Sequence, residues 1–173
     1  MNTGKITISE KGGVITVAPV KAAGGARTLT IWFDCNCPYC RRHWMDHLEG
    51  YLEEIEAGKL TLDMIPVAFL TEYSARAAML LYSIIPYGVD VFFDAFHSIV
   101  WEGLPESQGN DDATVTHKLG EVYKEIIVPA LNARGVDPKT IDTASQESYD
   151  KIKNNTDDAI AKGINGVPHI EQD

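Results

Sequence analysis

Two cysteines that are separated by two residues, Cys37 and Cys40, are the side chains of this sequence best suited to chemistry. They enclose the dipeptide Pro-Tyr, and an apolar run of strand-forming residues, 28–33, comes directly before them. Apolar residues at helical spacing follow, from residue 44 to residue 55. The cysteine pair is therefore predicted to lie where a buried strand ends and a helix begins.

A cysteine at the start of a helix meets unpaired backbone N–H groups and the positive end of the helix dipole, which favour negative charge. We expect Cys37 to have a pKa below the ordinary value of about 8.5 and to be the attacking nucleophile. Cys40, one turn later and more buried, is the predicted resolving cysteine. Pro38 suits the first helical turn, where no N–H is needed, and Arg41 and Arg42 add positive charge nearby.

A pair with this spacing is also found as half of a zinc site, which is the alternative interpretation. The chain has three cysteines, so a site with four sulfur ligands from this chain is excluded. A mixed site remains open, in which Cys35, Cys37 and Cys40 bind the metal together with His43 or His47. The two histidines lie four residues apart on one predicted helix face, which is also typical of a solvated surface.

Four neighbours of the pair have two interpretations each. Cys35, at the end of the predicted strand, is favoured as a small core residue over a third redox partner. Asp34 is either a buried proton acceptor for Cys40 or a cap for the strand end. Trp32 and Trp44 are predicted to pack in the core or to form walls of the site.

The composition is typical of a single folded domain. The chain has 173 residues, 45% of them hydrophobic, and a formal net charge of −10, and a chain of this length can bury one core. Nucleic acid is not an expected partner, because binding phosphates requires clustered Lys and Arg. No apolar window of about 18 residues and no signal peptide is visible, which fits a cytoplasmic protein or the mature form of an exported one.

Hydrophobic patterning predicts the elements that position the pair. Residues 6–20 form a hairpin, and residues 28–33 form a buried central strand. Residues 60–70 form a second strand, in which Pro66 indicates an edge position. The helix between these two strands implies that they are parallel. From residue 71 to residue 163 the pattern is helical, and a final helix is predicted from about Lys139, with Asp137 as its N-cap.

Two distant segments carry a resemblance to a known family. Residues 33–40, Phe-Asp-Cys-Asn-Cys-Pro-Tyr-Cys, resemble the redox motif of the thioredoxin superfamily, and of its DsbA-like branch in particular. Residues 161–168, Ala-Lys-Gly-Ile-Asn-Gly-Val-Pro, look like the cis-proline loop that faces the cysteines in that family. The resemblance implies an α/β thioredoxin-like fold with a DsbA-like helical insertion. The implied bounds are one domain over 1–173, with a core of 1–70 and 163–173 and an insertion of 71–162.

The resemblance also implies a function. Cys37 and Cys40 would exchange disulfides with protein substrates as a protein dithiol–disulfide oxidoreductase, favoured as an oxidase of secreted proteins, with a reductase or isomerase as the alternative. Substrate contacts are implied for Pro38, Tyr39, Val167 and Pro168. The implied partners are reduced or unfolded proteins and a redox protein that recycles the pair, with a membrane protein as one candidate. No cofactor is implied, and the implied location is periplasmic or extracytoplasmic, with the cytoplasm as the alternative.

The sequence departs from the family in two places. Cys35 stands where these families often have proline or an apolar residue. The family also continues beyond the cis-proline with an antiparallel hairpin and a helix, whereas only five residues follow Pro168 here. We therefore expect the C-terminal strands to be missing, which would leave strand 28–33 unpaired on one side. A continuation of the chain, a partner or the hairpin 6–20 would then have to complete the sheet.

Overall fold

A computed structural model describes residues 3–103 and 111–173. The strands are β1 Ile6–Lys11, β2 Val14–Pro19, β3 Arg27–Asp34, β4 Leu60–Val67 and β5 His169–Gln172. The α-helices are α1 Pro38–Glu56, α2 Glu72–Ile84, α3 Val89–Phe96, α4 Asp112–Val122, α5 Val128–Ala133 and α6 Gln146–Ala161. Two π-helical turns, His97–Glu102 and Tyr123–Ile127, follow α3 and α4. Short 3₁₀ turns lie at Thr3–Lys5, Ile85–Tyr87 and Pro138–Thr140.

In this part of the chain the strands form one mixed sheet in the order β1-β2-β4-β3-β5. As predicted, β3 and β4 are parallel and are joined through α1, with Arg27 opposite Leu60 and Asp34 opposite Val67. Because α1 starts immediately beyond the carboxyl end of β3, the turn between them carries the cysteines at the end of an interior strand.

The prediction that β4 is an edge strand is wrong, because β4 lies between β2 and β3. The proline is tolerated because β2 pairs only with residues 62–64 of β4 and ends before Pro66. The Pro66 carbonyl oxygen instead accepts a hydrogen bond from Nδ2 of Asn155 on α6 at 3.1 Å. Since no β2 residue pairs with residue 66, the missing N–H of the proline removes no hydrogen bond between these two strands.

The segment after Pro168 does form a strand, contrary to the expectation that C-terminal pairing would be missing. β5 is antiparallel to β3, with Ile170 opposite Ile31, and the N–H of Asp173 donates to the carbonyl of Thr28 at 3.1 Å. The predicted hairpin also forms, and β2 pairs with β4. β3 thus has a neighbouring strand on both sides. The four residues of β5 are enough to pair with the longer β3.

Apolar side chains pack on both faces of the sheet. On one face Phe33 contacts Trp44 of α1 and Phe96 of α3, with ring centroids 5.5 Å and 5.8 Å away. On the other face Trp32 packs in a smaller cluster with Ile164 and with α6. Both tryptophans are therefore core residues, and alternation along β3 decides which face each of its side chains enters.

The final helix begins later than predicted. Near Lys139, Asp137 caps only the 3₁₀ turn, by accepting from the Lys139 N–H at 3.0 Å. The N-cap of α6 is Ser145, whose Oγ accepts from the N–H of Ser148 at 3.1 Å. Two capping residues close together in sequence thus start two separate helical segments, and the second one is the long helix that leads to the loop before β5.

A buried asparagine connects α6 to the sheet. Nδ2 of Asn155 donates to the carbonyl of Gly13, in the β1–β2 turn, at 3.0 Å, and to the carbonyl of Pro66. Tyr82 of α2 donates to the same Gly13 carbonyl at 2.6 Å. Gly13 has φ +90°, and a Cβ there would lie 2.6 Å from Oδ1 of Asn155, so only glycine fits this approach.

We predict that Asn155→Ala lowers the free energy of unfolding by about 1–3 kcal/mol, because the buried Pro66 carbonyl loses its donor and the Gly13 carbonyl keeps only the bond from Tyr82. The matched control is Asn154→Ala, an exposed position next to it on α6, which should change stability by at most about 0.5 kcal/mol. Urea unfolding of both variants measures the difference, and equal losses would contradict this role of Asn155.

Candidate active site

The turn between β3 and α1 places Cys37 at the helix N-terminus, as predicted. Cys37 is the N-cap of α1, and Pro38 is in the first turn. The Cys37 N–H donates to the carbonyl of Asp34 at 3.1 Å, while the Cys37 carbonyl accepts from the N–H of Arg41 at 2.9 Å. The backbone of Cys37 is thus held on both sides, and its side chain lies at the positive end of the helix.

All three cysteines are free thiols and all three are buried. Cys37 is 6% exposed and Cys40 is fully enclosed. The order of exposure is the predicted one, but Cys37 itself is nearly enclosed. The reason is tertiary, because a loop from the far end of the chain covers its sulfur.

This covering loop is the segment predicted to resemble a cis-proline loop. The Val167–Pro168 peptide bond is cis, and Sγ of Cys37 lies 3.4 Å from the Val167 carbonyl oxygen. The geometry agrees with the prediction for this bond and for its proximity to Cys37. Buried Ile164 packs the loop onto the sheet, and β5 follows immediately, so pairing with β3 keeps the loop over the cysteine.

The pKa of Cys37 is lowered to about 6. The largest cause is the hydrogen bond from the Cys40 thiol, and the backbone N–H groups of Tyr39 and Cys40 add to it, whereas burial and the charge of Asp34 oppose it. Neither Arg41 nor Arg42 is among the groups that lower this pKa, and Arg41 instead donates to the carbonyl of Glu102 at 2.6 Å. Cys37 is therefore a thiolate at neutral pH.

The other two cysteines remain protonated thiols. The pKa of Cys40 is raised far above its ordinary range, first because its thiol donates to the Cys37 sulfur and then because it is buried. Burial also raises the pKa of Cys35 well above the usual value. The pair thus combines a nucleophilic thiolate with a protonated partner one turn away, and Cys35 packs in the core cluster, in agreement with the favoured interpretation.

The carboxylate of Asp34 is buried and accepts four hydrogen bonds. Oδ1 accepts from the N–H of Asn36 and the hydroxyl of Ser74, and Oδ2 accepts from the N–H groups of Phe69 and Leu70. Burial raises the pKa of Asp34, while these donors act in the opposite direction. Of the two interpretations, the contacts support the cap at the strand end.

The alternative of a mixed metal site is not formed. Nε2 of His43 lies 3.2 Å from the hydroxyl of Tyr51, and the rings of His43 and His47 are 4.8 Å apart along the outer face of α1. Within residues 3–103 and 111–173, no three His, Cys, Asp or Glu side chains are grouped so that they can hold a metal ion.

An apolar groove of about 400 Å³ opens beside Cys37. Three of its side chains are largely exposed: Tyr39 at 72%, Leu70 at 52% and Ile160 at 61%. The apolar lining is formed by Tyr39, Phe69, Leu70, Ile160, Ile164 and Val167. Tyr39 and Val167 were predicted from the sequence. Phe69, Leu70 and Ile160 were not, because their apolar character within helical or strand patterns gives no sign that they meet here.

Comparison with known proteins identifies the family. A family model described as thioredoxin matches residues 23–171. The chain belongs to the thioredoxin family. A comparison with curated protein sequences gives no match. Among the helices described, none is long and apolar enough to cross a membrane.

Solved structures show the same fold. The MdbA protein, a thiol-disulfide oxidoreductase from Corynebacterium diphtheriae, has a TM-score of 0.68 at 17% identity, covering 98% of this chain and 86% of that one. Oxidised Mtb DsbA has a TM-score of 0.65 at 16% identity, covering 92% and 82%. Proteus mirabilis ScsC in a transitional conformation has a TM-score of 0.60 at 20% identity, covering 94% and 64%. The thioredoxin-like fold of this chain is therefore DsbA-like.

We predict that Cys40→Ala raises the pKa of Cys37 from about 6 toward the ordinary value of about 8.5, because the main donor to the thiolate is lost. The rate of iodoacetamide alkylation of the reduced protein, followed against pH, measures this pKa. Cys35→Ala is the matched control, since it removes a buried thiol that is not among the donors to Cys37. An unchanged profile in Cys40→Ala would show that the thiolate is stabilised by other groups.

Proposed function

We propose that this protein is a dithiol–disulfide oxidoreductase that oxidises thiols of protein substrates through Cys37 and Cys40. The observation that carries the proposal is the Cys37 thiolate, with a pKa of about 6, at a helix N-terminus beneath the Val167–Pro168 loop. Similarity in fold to MdbA, described as a thiol-disulfide oxidoreductase, supports it.

The exchange proceeds in two steps. In the oxidised protein a substrate thiolate attacks Sγ of Cys37, the Cys37–Cys40 bond breaks, and Cys40 leaves and takes up a proton. A second substrate thiolate then attacks the substrate sulfur of this mixed disulfide and releases Cys37 as a thiolate. The substrate gains a disulfide and loses two electrons, which the cysteine pair receives. A redox partner then reoxidises the pair by accepting those electrons.

The low pKa favours oxidation of substrates over their reduction. Lowering the pKa from 9.0 to about 6 ionises reduced Cys37 at pH 7, about one unit above its pKa, and this stabilises the reduced form by about 1.4 kcal/mol. For a two-electron couple this raises the reduction potential by about 30 mV. A low pKa also makes Cys37 a good leaving group in the second step.

The groove beside Cys37 supports an unfolded or extended protein as the substrate. Its exposed side chains, Tyr39, Leu70 and Ile160, offer apolar surface next to the nucleophile, and unfolded chains expose the apolar residues that bind such a surface. In this proposal Pro38 and Pro168 flank the bound peptide, and the backbone of Val167 pairs with it. We place the protein in an extracytoplasmic compartment, where protein disulfides persist.

We predict that Cys37→Ser abolishes oxidation of a reduced test protein. Cys40→Ser, mixed with the disulfide-bonded form of the same protein, should trap a mixed disulfide, because Cys37 attacks the substrate disulfide and the resolving thiol is absent. Cys35→Ser is the control and should retain most of the activity. Electrophoresis without reductant detects the trapped complex. Full activity of Cys37→Ser would rule out Cys37 as the sulfur that substrate thiolates attack.

The direction of transfer is tested by equilibrating the wild-type protein with glutathione. We expect a reduction potential tens of millivolts above the value of about −270 mV that is typical of thioredoxin. The fluorescence of Trp44, which lies one turn after Cys40, provides a readout of the redox state. A potential at or below about −270 mV would favour the reductase alternative instead.

A further inference from the structure

Asp34 lies three residues before Cys37 and is not needed for the exchange of sulfur atoms. We propose that Asp34 is a positioning residue whose carboxylate holds the loop carrying Phe69 and Leu70 against the redox turn, and that it thereby sets how protein substrates bind beside Cys37. This inference rests on the proposed function, because it concerns the groove that we assign to protein substrates.

One half of the carboxylate holds the redox turn. Oδ1 of Asp34 accepts from the N–H of Asn36 at 2.8 Å and from the hydroxyl of Ser74, in the first turn of α2, at 2.6 Å. The side chain of Asn36 donates to Oγ1 of Thr71 at 3.1 Å. The turn before Cys37 and the start of α2 are therefore joined through polar side chains.

The other half of the carboxylate holds the loop between β4 and α2. Oδ2 accepts from the N–H of Phe69 at 2.8 Å and from the N–H of Leu70 at 3.1 Å. The preceding N–H, that of Ala68, donates to Oγ1 of Thr156 on α6 at 3.0 Å. Three consecutive backbone donors outside the helices and strands are thus bound by side chains from other parts of the fold, and Asp34 binds two of them.

Apolar packing gives this loop limited support. Leu70 is largely exposed and Phe69 is half-buried, so the burial of their side chains leaves the loop weakly constrained. The carboxylate, by contrast, is fully enclosed, where water does not compete for its bonds. A carboxylate accepts at both oxygens, whereas an amide of the same shape would present N–H donors to one of the two pairs. The site therefore requires Asp at position 34.

The consequence for function follows from where the loop lies. Phe69 and Leu70 line the same groove as Cys37 and Val167, so a displaced loop changes the surface that a peptide meets. The thiolate of Cys37, however, is stabilised mainly by the Cys40 thiol and by N–H groups of the helix start, and the charge of Asp34 opposes it. Loss of this carboxylate should therefore weaken peptide binding without weakening the nucleophile.

The test compares two dithiols as substrates of Asp34→Asn in the full chain. For a peptide with two cysteines flanked by leucines, we expect KM to rise about fivefold or more, as for the loss of one or two buried hydrogen bonds. Dithiothreitol is too small to contact the loop, so the rate constant for its oxidation should change less than about twofold. The pKa of Cys37, followed by alkylation, should stay at about 6 or fall.

Ser74→Ala is the matched control, because it removes one donor to the same carboxylate but leaves the bonds to Phe69 and Leu70. Its KM for the peptide should stay close to that of the wild type. Equal losses with peptide and dithiothreitol in Asp34→Asn, or an equal rise in KM in Ser74→Ala, would overturn the proposal. A Cys37 pKa that rises toward the ordinary value would also overturn it, because it would show that the substitution has changed the structure of the redox turn itself.

A measurement on the wild type applies even if Asp34→Asn does not fold. The amide hydrogens of Phe69 and Leu70 should exchange slowly with solvent, although they lie outside helices and strands, because they are bound to a buried carboxylate. Rapid exchange would directly contradict the hydrogen bonds from these two N–H groups to Asp34. A wild-type protein that oxidises neither dithiol would instead contradict the proposed function, so the two failures are distinguishable.

Discussion

The chemistry of this protein depends on one stabilised charge, the thiolate of Cys37. Three sources of stabilisation meet at this sulfur: the thiol of Cys40, the backbone N–H groups at the start of α1 and the helix dipole. The thiolate is more stable than an ordinary one, so the reduced pair is favoured, which is what the proposed oxidation of substrates requires. The surrounding structure holds this helix start at the end of a central strand.

That strand, β3, is held on both sides. β4 pairs with it along its full length, and β5 pairs with its residues 29–32. Because β5 follows the Val167–Pro168 loop without a gap, the pairing that completes the sheet also carries the loop to Cys37. A short strand of four residues thus contributes to the active site through its position more than through its own stability.

Polar side chains connect the loop after β4 and helix α6 to the sheet and the redox turn. Asp34 joins the redox turn to the loop after β4, and Asn155 joins α6 to the β1–β2 turn and to Pro66. Thr156, next to Asn155, holds the same loop from the other side. The bonds of Asn155 are buried, so its loss would leave the Pro66 carbonyl unsatisfied. Neighbouring residues of one helix therefore support both the sheet and the groove at the active site.

The sequence by itself determined the local features of this protein. The cysteines at a helix start and the parallel β3–α1–β4 unit follow from the spacing of residues, because strand and helix periods and the chemistry of helix ends act over a few positions. The Val167–Pro168 loop was implied by the resemblance to a known family. Tertiary structure decided the interior position of β4, the formation of β5, the enclosure of Cys37 and the groove lined by Leu70 and Ile160. Each of these depends on contacts between segments far apart in sequence, and a local sequence pattern does not predict such contacts.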